Sequence, residues 1–114
     1  MKKKFKKKKQ RLGMTIFIKN NNNRQYIYLS STIRKLIDRY PYVEIWYDPD
    51  IQKIHLKLLE KPTKNSYTIP HRERGGVMLG LRKVLKVLKV KGGYYPVRYN
   101  QGVIEFTYKR DENA

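Results

Sequence analysis

The residues of this chain best equipped for chemistry are its cations. Lys2, Lys3, Lys4, Lys6, Lys7, Lys8, Lys9 and Arg11 crowd the first twelve positions with no acid among them. Arg24 ends a run of asparagines, and Arg72 and Arg74 lie in a second polar loop about 50 residues further on. Arg82, Lys83, Lys86 and Lys89 fall on one side of a helical pattern and Lys91 follows them, with no acid between Gly75 and Gln101. Such groups suit phosphate, because the arginine fork meets two oxygens at once and lysine acts as a compact charge. Exposed helices ordinarily mix signs to gain pairs three or four residues apart. A basic stripe without partners forgoes that gain, so an external polyanion is its expected counter-charge.

The whole chain carries the same bias. Its 114 residues hold 27 Lys and Arg against 9 Asp and Glu, a formal net charge of +18, well beyond the magnitude of about 2–8 that keeps a small domain soluble. Residues 13 to 62 carry eight basic and five acidic groups, and residues 63 to 114 carry eleven and four, so the second half is the more basic. A field of this sign attracts nucleic acid. A basic amphipathic helix also suits an anionic membrane, but the apolar stripe Leu81, Val84, Leu85 and Leu88 is expected in the core, which favours nucleic acid and no membrane.

Other chemistry is poorly served. There is no cysteine, which removes disulfides, thiolate metal sites and cysteine nucleophiles together. His55 lies in a strand pattern and His71 beside Pro70, neither with acids at a metal-ligand spacing. Asp48 and Asp50 flank Pro49, where turn formation accounts for them, and Gly75 and Gly76 lack a phosphate-loop lysine. The expectation is a binding protein and not an enzyme, with no metal, cofactor or small-molecule substrate. The ten tyrosines raise base stacking, with Tyr26, Tyr28, Tyr94 and Tyr95 as candidates. Tyrosine is also an ordinary half-buried strand residue, and structural use is the preferred reading, with Trp46 in the core. No apolar run of signal length follows the lysines, and no stretch approaches the roughly 20 apolar residues of a membrane span. A soluble, cytoplasmic, nucleoid-associated protein is therefore expected.

The elements that must position these groups read as follows. Residues 1–13 form a basic tail that like-charge repulsion should keep extended. Thr15 to Lys19 and Tyr26 to Leu29 read as strands around an asparagine turn. Ser30 or Ser31 caps a helix in which Ile33, Leu36, Ile37 and Tyr40 form the apolar side, Arg34, Lys35, Asp38 and Arg39 face away, and Pro41 ends the run. Tyr42 to Tyr47 and Ile51 to Leu59 make a hairpin across Asp48, Pro49 and Asp50. After a connector the series returns: a strand at Ser66 to Ile69, another at Val77 to Leu79, a helix in Gly80 to Val90 stopped by Gly92 and Gly93, and a hairpin from Tyr94–Tyr99 to Val103–Lys109. The reading is one domain, residues 14–114, built from repeats 14–61 and 65–110 that share a core, because each alone has too few strands to cover its apolar face.

In its order of strand, arginine-bearing turn, strand Ile27 to Ser30, helix opening Ile33, Arg34, Lys35, Leu36, and hairpin Val43 to Leu56, the first repeat resembles the AbrB-like swapped-hairpin DNA-binding domains. The resemblance implies an α+β fold in which two tandem βαββ-like units interlock into one pseudo-twofold AbrB-like barrel. It also implies DNA contacts at Arg24, Arg34 and Lys35, with Lys19 a looser match. The expected function is duplex-DNA binding, as a transcriptional regulator or chromatin-associated protein, by a monomer or homodimer. Arg24 and Arg72 or Arg74 would determine placement, while Arg82, Lys83, Lys86, Lys89, Lys91 and the tail residues Lys6, Lys7, Lys8, Lys9 and Arg11 add salt-dependent affinity. The alternatives are a ribosome-associated protein that binds structured RNA and an antitoxin-like module that binds DNA and a protein.

Overall fold

The computed structural model describes residues 14–70 and 75–111. Within them the chain runs β1 (Thr15–Asn20), β2 (Gln25–Leu29), α1 (Ser31–Ile37), β3 (Tyr42–Asp48), β4 (Lys53–Leu59), β5 (Ser66–Thr68), β6 (Val77–Leu79), α2 (Arg82–Val87), β7 (Gly93–Pro96), β8 (Arg98–Asn100) and β9 (Val103–Thr107). The strands form two antiparallel sheets, of order β6-β2-β1-β7 and β5-β3-β4-β9-β8. Period-two alternation decides their faces. Ile16, Ile18, Ile27, Leu29, Val77 and Leu79 of the first sheet and Val43, Ile54, Leu56, Ile104 and Phe106 of the second are buried in one core. Both helices pack against β2, and α2 also against β1.

The α+β class expected from the sequence is present, whereas the closed barrel is not. Among the described residues β5 lies at one edge of the second sheet and β6 at one edge of the first, with no pairing between them. β5 is only three residues long, and Pro70, two positions beyond its end, has no N–H to offer a ladder. On the other side the chain itself joins the sheets. The expected single strand Tyr94–Tyr99 divides into β7 and β8 at Val97, after Pro96, and Val97 N–H turns to the carbonyl of Met14 at 2.8 Å.

Each helix departs from its sequence reading in a way that bears on function. Ser30 caps α1 through Oγ, which accepts from Ile33 N–H at 3.5 Å. The seven-residue helix is anchored by Ile33 and Ile37, and the side it turns inward includes Arg34 while Leu36 is exposed. α2 does not end at Gly92 and Gly93. Lys89 adopts φ of 53° and donates to Lys86 O at 3.2 Å, and Val90 donates to Leu85 O at 3.1 Å. This is a Schellman ending with lysine in the left-handed position that glycine usually fills. Asn20, read as a turn residue, closes β1 and sends Nδ2 to the carbonyls of Leu85 and Val90 at 3.0 and 2.8 Å, which ties this helix end to the first sheet. Gly92 passes so close to β1 that a Cβ would lie 3.2 Å from Ile18 O.

The hairpin turns follow their residue chemistry. Asp48 Oδ1 accepts from Asp50 N–H at 3.0 Å in the β3–β4 turn, and Gln52 takes φ of 53° before β4 begins at Lys53, two residues later than expected. Gln101 and Gly102 both have positive φ between the paired residues Asn100 and Val103, as a primed two-residue turn requires.

Candidate nucleic-acid interface

The outer face of the first sheet is set by the residues that alternate with its buried ones. Cross-strand partners share a face. Tyr28 pairs with Met78 on one side and Phe17 on the other, and Phe17 pairs in turn with Tyr94. These four side chains therefore cross the sheet from edge to edge in a single row. Tyr28, Met78 and Tyr94 expose 38%, 44% and 76% of their surface, and the rings of Phe17 and Tyr94 lie 4.9 Å apart between centroids. In the next row Lys19 is opposite Tyr26.

Arg24 completes this face from the β1–β2 turn. Asn21 Oδ1 accepts from the N–H groups of Asn23 and Arg24, each at 2.8 Å, and Asn21 N–H donates to Arg24 O at 3.1 Å. The side chain of Gln25, buried at the base of the turn, donates back to Asn21 O. With its backbone held in this way, Arg24 lays its guanidinium 5.0 Å over the ring of Tyr26 and places Nη2 3.8 Å from Met78 Sδ. The asparagine run is thus a device for presenting one arginine across the sheet.

Charge divides by sheet. No strand of the first sheet contains an acid, nor does either helix, whereas β3 holds Glu44 and Asp48 and β9 holds Glu105. On the second sheet these acids are engaged. Glu105 lies 3.3 Å from both Lys53 and His55, and the hydrogen bond from Lys53 holds its carboxyl below the usual carboxylate range. Glu44 accepts from Thr63 and from Trp46 Nε1, and the Thr63 bond first and the Trp46 bond second lower it likewise. Trp46, expected in the core, is instead 53% exposed, with Lys57 Nζ 4.7 Å from its ring.

The cations singled out in the sequence have different fates. Arg24 and Lys35 are exposed, as are Arg82, Lys83 and Lys86 along α2 and Lys89 and Lys91 just beyond it. Lys19 is half-buried in the first sheet. Arg34 is a correction: it is 8% exposed, donates through Nε to the carbonyl of Gly75 at 2.7 Å and has Asp38 at 3.9 Å. A guanidinium so placed joins α1 to the segment entering β6. Arg72, Arg74, Lys6, Lys7, Lys8, Lys9 and Arg11 lie outside the described residues. Of the tyrosines, Tyr95 is buried and donates its hydroxyl to Lys91 O, while burial pushes that hydroxyl's pKa up. Phe17 and Met78 were missed by sequence reasoning. The signal for Phe17 was present in the alternation of Ile16 and Ile18 with Thr15, Phe17 and Lys19.

A groove of about 740 Å3 lies elsewhere, bordered by Trp46, Tyr47, Tyr67 and Val84. Among the described residues no group of three or more His, Cys, Asp or Glu is placed to hold a metal ion, and no helix is long and apolar enough to cross a membrane.

Fold and surface together define an α+β protein of two antiparallel sheets, one carrying paired acids and bases, the other an acid-free row in which Met78, Tyr28 and Tyr94 are exposed and Phe17 is half-buried. Comparison of the chain with protein-family models, with curated protein sequences and with solved structures returned no match.

Proposed function

We propose that this protein binds nucleic acid through its phosphates and acts as a binding protein, not a catalyst. The observation that carries the reading is the segregation of charge: α2 presents Arg82, Lys83 and Lys86 to solvent, and neither it nor the sheet it packs on contains an acid. On the second sheet, by comparison, Glu105 is bonded to Lys53 and Glu44 faces Lys57 across the ladder. The chain therefore places acids beside some cations and withholds them from others, and a phosphate backbone supplies what is withheld.

Duplex DNA, bound as a regulator or chromatin-associated protein, is the reading that the swapped-hairpin resemblance favours. Strand pairing supports the internal repeat behind that resemblance. Exchanging β1 with β5, β2 with β6, β3 with β7–β8 and β4 with β9 turns the β1·β7 pair into β5·β3, and β3·β4 into β8·β9. It returns β2·β6 and β4·β9 to themselves, with Ile27 and Leu29 taking the places of Val77 and Leu79, and Ile54 and Leu56 those of Ile104 and Phe106. A tandem repeat would give this register, and only the counterpart of the β1·β2 pair is lacking among the described residues.

Titration of labelled DNA and RNA against the full chain over a range of salt tests the function. Neutralising about six to eight phosphates gives a log–log slope of about −5 to −7 for duplex DNA. Failure to retain DNA or RNA of any form at physiological ionic strength would refute the proposal.

A further inference from the structure

Phosphate binding leaves the row of Met78, Tyr28, Phe17 and Tyr94 unexplained. Met78, Tyr28 and Tyr94 hold apolar and aromatic surface in water, with Phe17 half-buried between the two tyrosines, where polar residues would serve solubility better. We propose that this face stacks unpaired bases, so that the polymer the protein prefers is single-stranded and not the duplex that the swapped-hairpin resemblance favours. The inference rests on the nucleic-acid reading above and names the form of nucleic acid.

The geometry is that of a stacking platform. Tyr28, Phe17 and Tyr94 stand on adjacent strands, about 5 Å from one to the next, and every base offers a π-face to such rings whatever its sequence. In a duplex those faces are already covered by neighbouring base pairs, and a flat sheet of rings cannot reach them. Cations for the accompanying backbone lie in the same face: Arg24 spans from Tyr26 to Met78, and Lys19 is opposite Tyr26. The strands beneath contain no acid to repel phosphate. Among the other exposed rings, Trp46 fails on this point, since its indole N–H is bonded to Glu44 at 2.7 Å. A second copy of the chain is a poor occupant, because face-to-face pairing would bring Arg24 and Lys19 against their own kind on chains each of net charge +18.

The test uses the full chain with labelled oligothymidylate, oligouridylate and a duplex, each about 12 nucleotides long, at one physiological salt concentration. The variants are Tyr94→Leu, Tyr28→Leu and the pair, which keep apolar bulk and remove the π-face, and Tyr94→Trp, which keeps it. Single strands are expected to bind more tightly than the duplex. Each leucine should weaken single-strand binding by about tenfold with duplex binding unchanged, and Tyr94→Trp should match the parent. The ratio between the thymidylate and uridylate strands identifies DNA or RNA as the source of the bases. Tyr28 leans on Gly76, so its replacement can disturb the fold; Tyr94 exposes three-quarters of its surface, and Tyr94→Leu then decides alone, with circular dichroism verifying that it is folded. Leucine variants that hold single strands as tightly as the parent would overturn the inference, as would a parent that prefers the duplex or sediments as a dimer with this face covered. In those cases nucleic-acid binding itself stands. A parent that retains none of the three polymers removes both proposals.

Discussion

Lys89 occupies a backbone conformation that a residue with a Cβ adopts at a cost of roughly 1 kcal/mol. Glycine is the usual occupant of that place in a Schellman ending. Keeping lysine there makes sense if its charge is used, and Lys89→Gly separates the two effects. The variant is expected to gain about 0.5–1 kcal/mol of stability in urea unfolding while its affinity for nucleic acid falls, measured on the same preparation. Arg34 predicts the opposite pattern. Its Nε donates to the backbone carbonyl of Gly75, so Arg34→Ala removes a charged donor's hydrogen bond between α1 and the segment entering β6 and should cost about 1.5–3 kcal/mol. Its affinity per folded molecule should be unchanged, which a binding titration corrected for the unfolded fraction will read. The same helix shows why residue type alone misleads: Arg34 was assigned to the exposed side because arginine is charged, yet Leu36 is exposed and Arg34 is not.

At the scale of elements, α2 does two jobs with two faces. Leu81, Leu85 and Leu88 are buried, and Arg82, Lys83 and Lys86 are exposed. The double replacement Lys83→Glu, Lys86→Glu alters only the outer face. It should leave the urea midpoint nearly unchanged and lower affinity for DNA and RNA alike by at least tenfold, with a shallower salt slope because fewer counterions are released. An unaltered dissociation constant at moderate salt would remove α2 from the interface. Helix position and apolar stripe were legible in the sequence, since leucine and valine recur with helical period. The ending was not, because it depends on the carbonyls of Leu85 and Val90 meeting Asn20, some 65 to 70 residues earlier in the chain.

For the molecule as a whole, charge bears on stability as well as binding. The folded-state pKa values of Glu44 and Glu105 are lowered by the bonds from Thr63 and Lys53. Their contribution is present above the ordinary carboxylate pKa of about 4.3 and is lost as pH falls through the lower folded values. Added positive charge works in the same direction in a chain of net charge +18. At the alkaline end, burial raises the pKa values of Tyr95 and Tyr108, so their contribution is lost as pH climbs beyond about 10. The urea midpoint should therefore be level between these limits and fall outside both, and Glu105→Gln should make the acid fall less steep.

By itself the sequence determined the α+β class, most strand positions, a serine N-cap at Ser30 or Ser31 and the concentration of positive charge, because period, turn residues and formal charge are local properties. It also contained the alternation that turns Ile16, Ile18, Ile27 and Leu29 to one side of their strands and Phe17, Tyr26 and Tyr28 to the other. Which side met the core, and that Tyr94 and Met78 would extend the same row, were decided only when β6 and β7 paired with β2 and β1 from far along the chain. Tertiary structure likewise brought the acids together on one sheet and left the other without them. Pairing between distant strands assigns each residue its neighbours, and neighbours are what make a tyrosine part of the core or part of an exposed row.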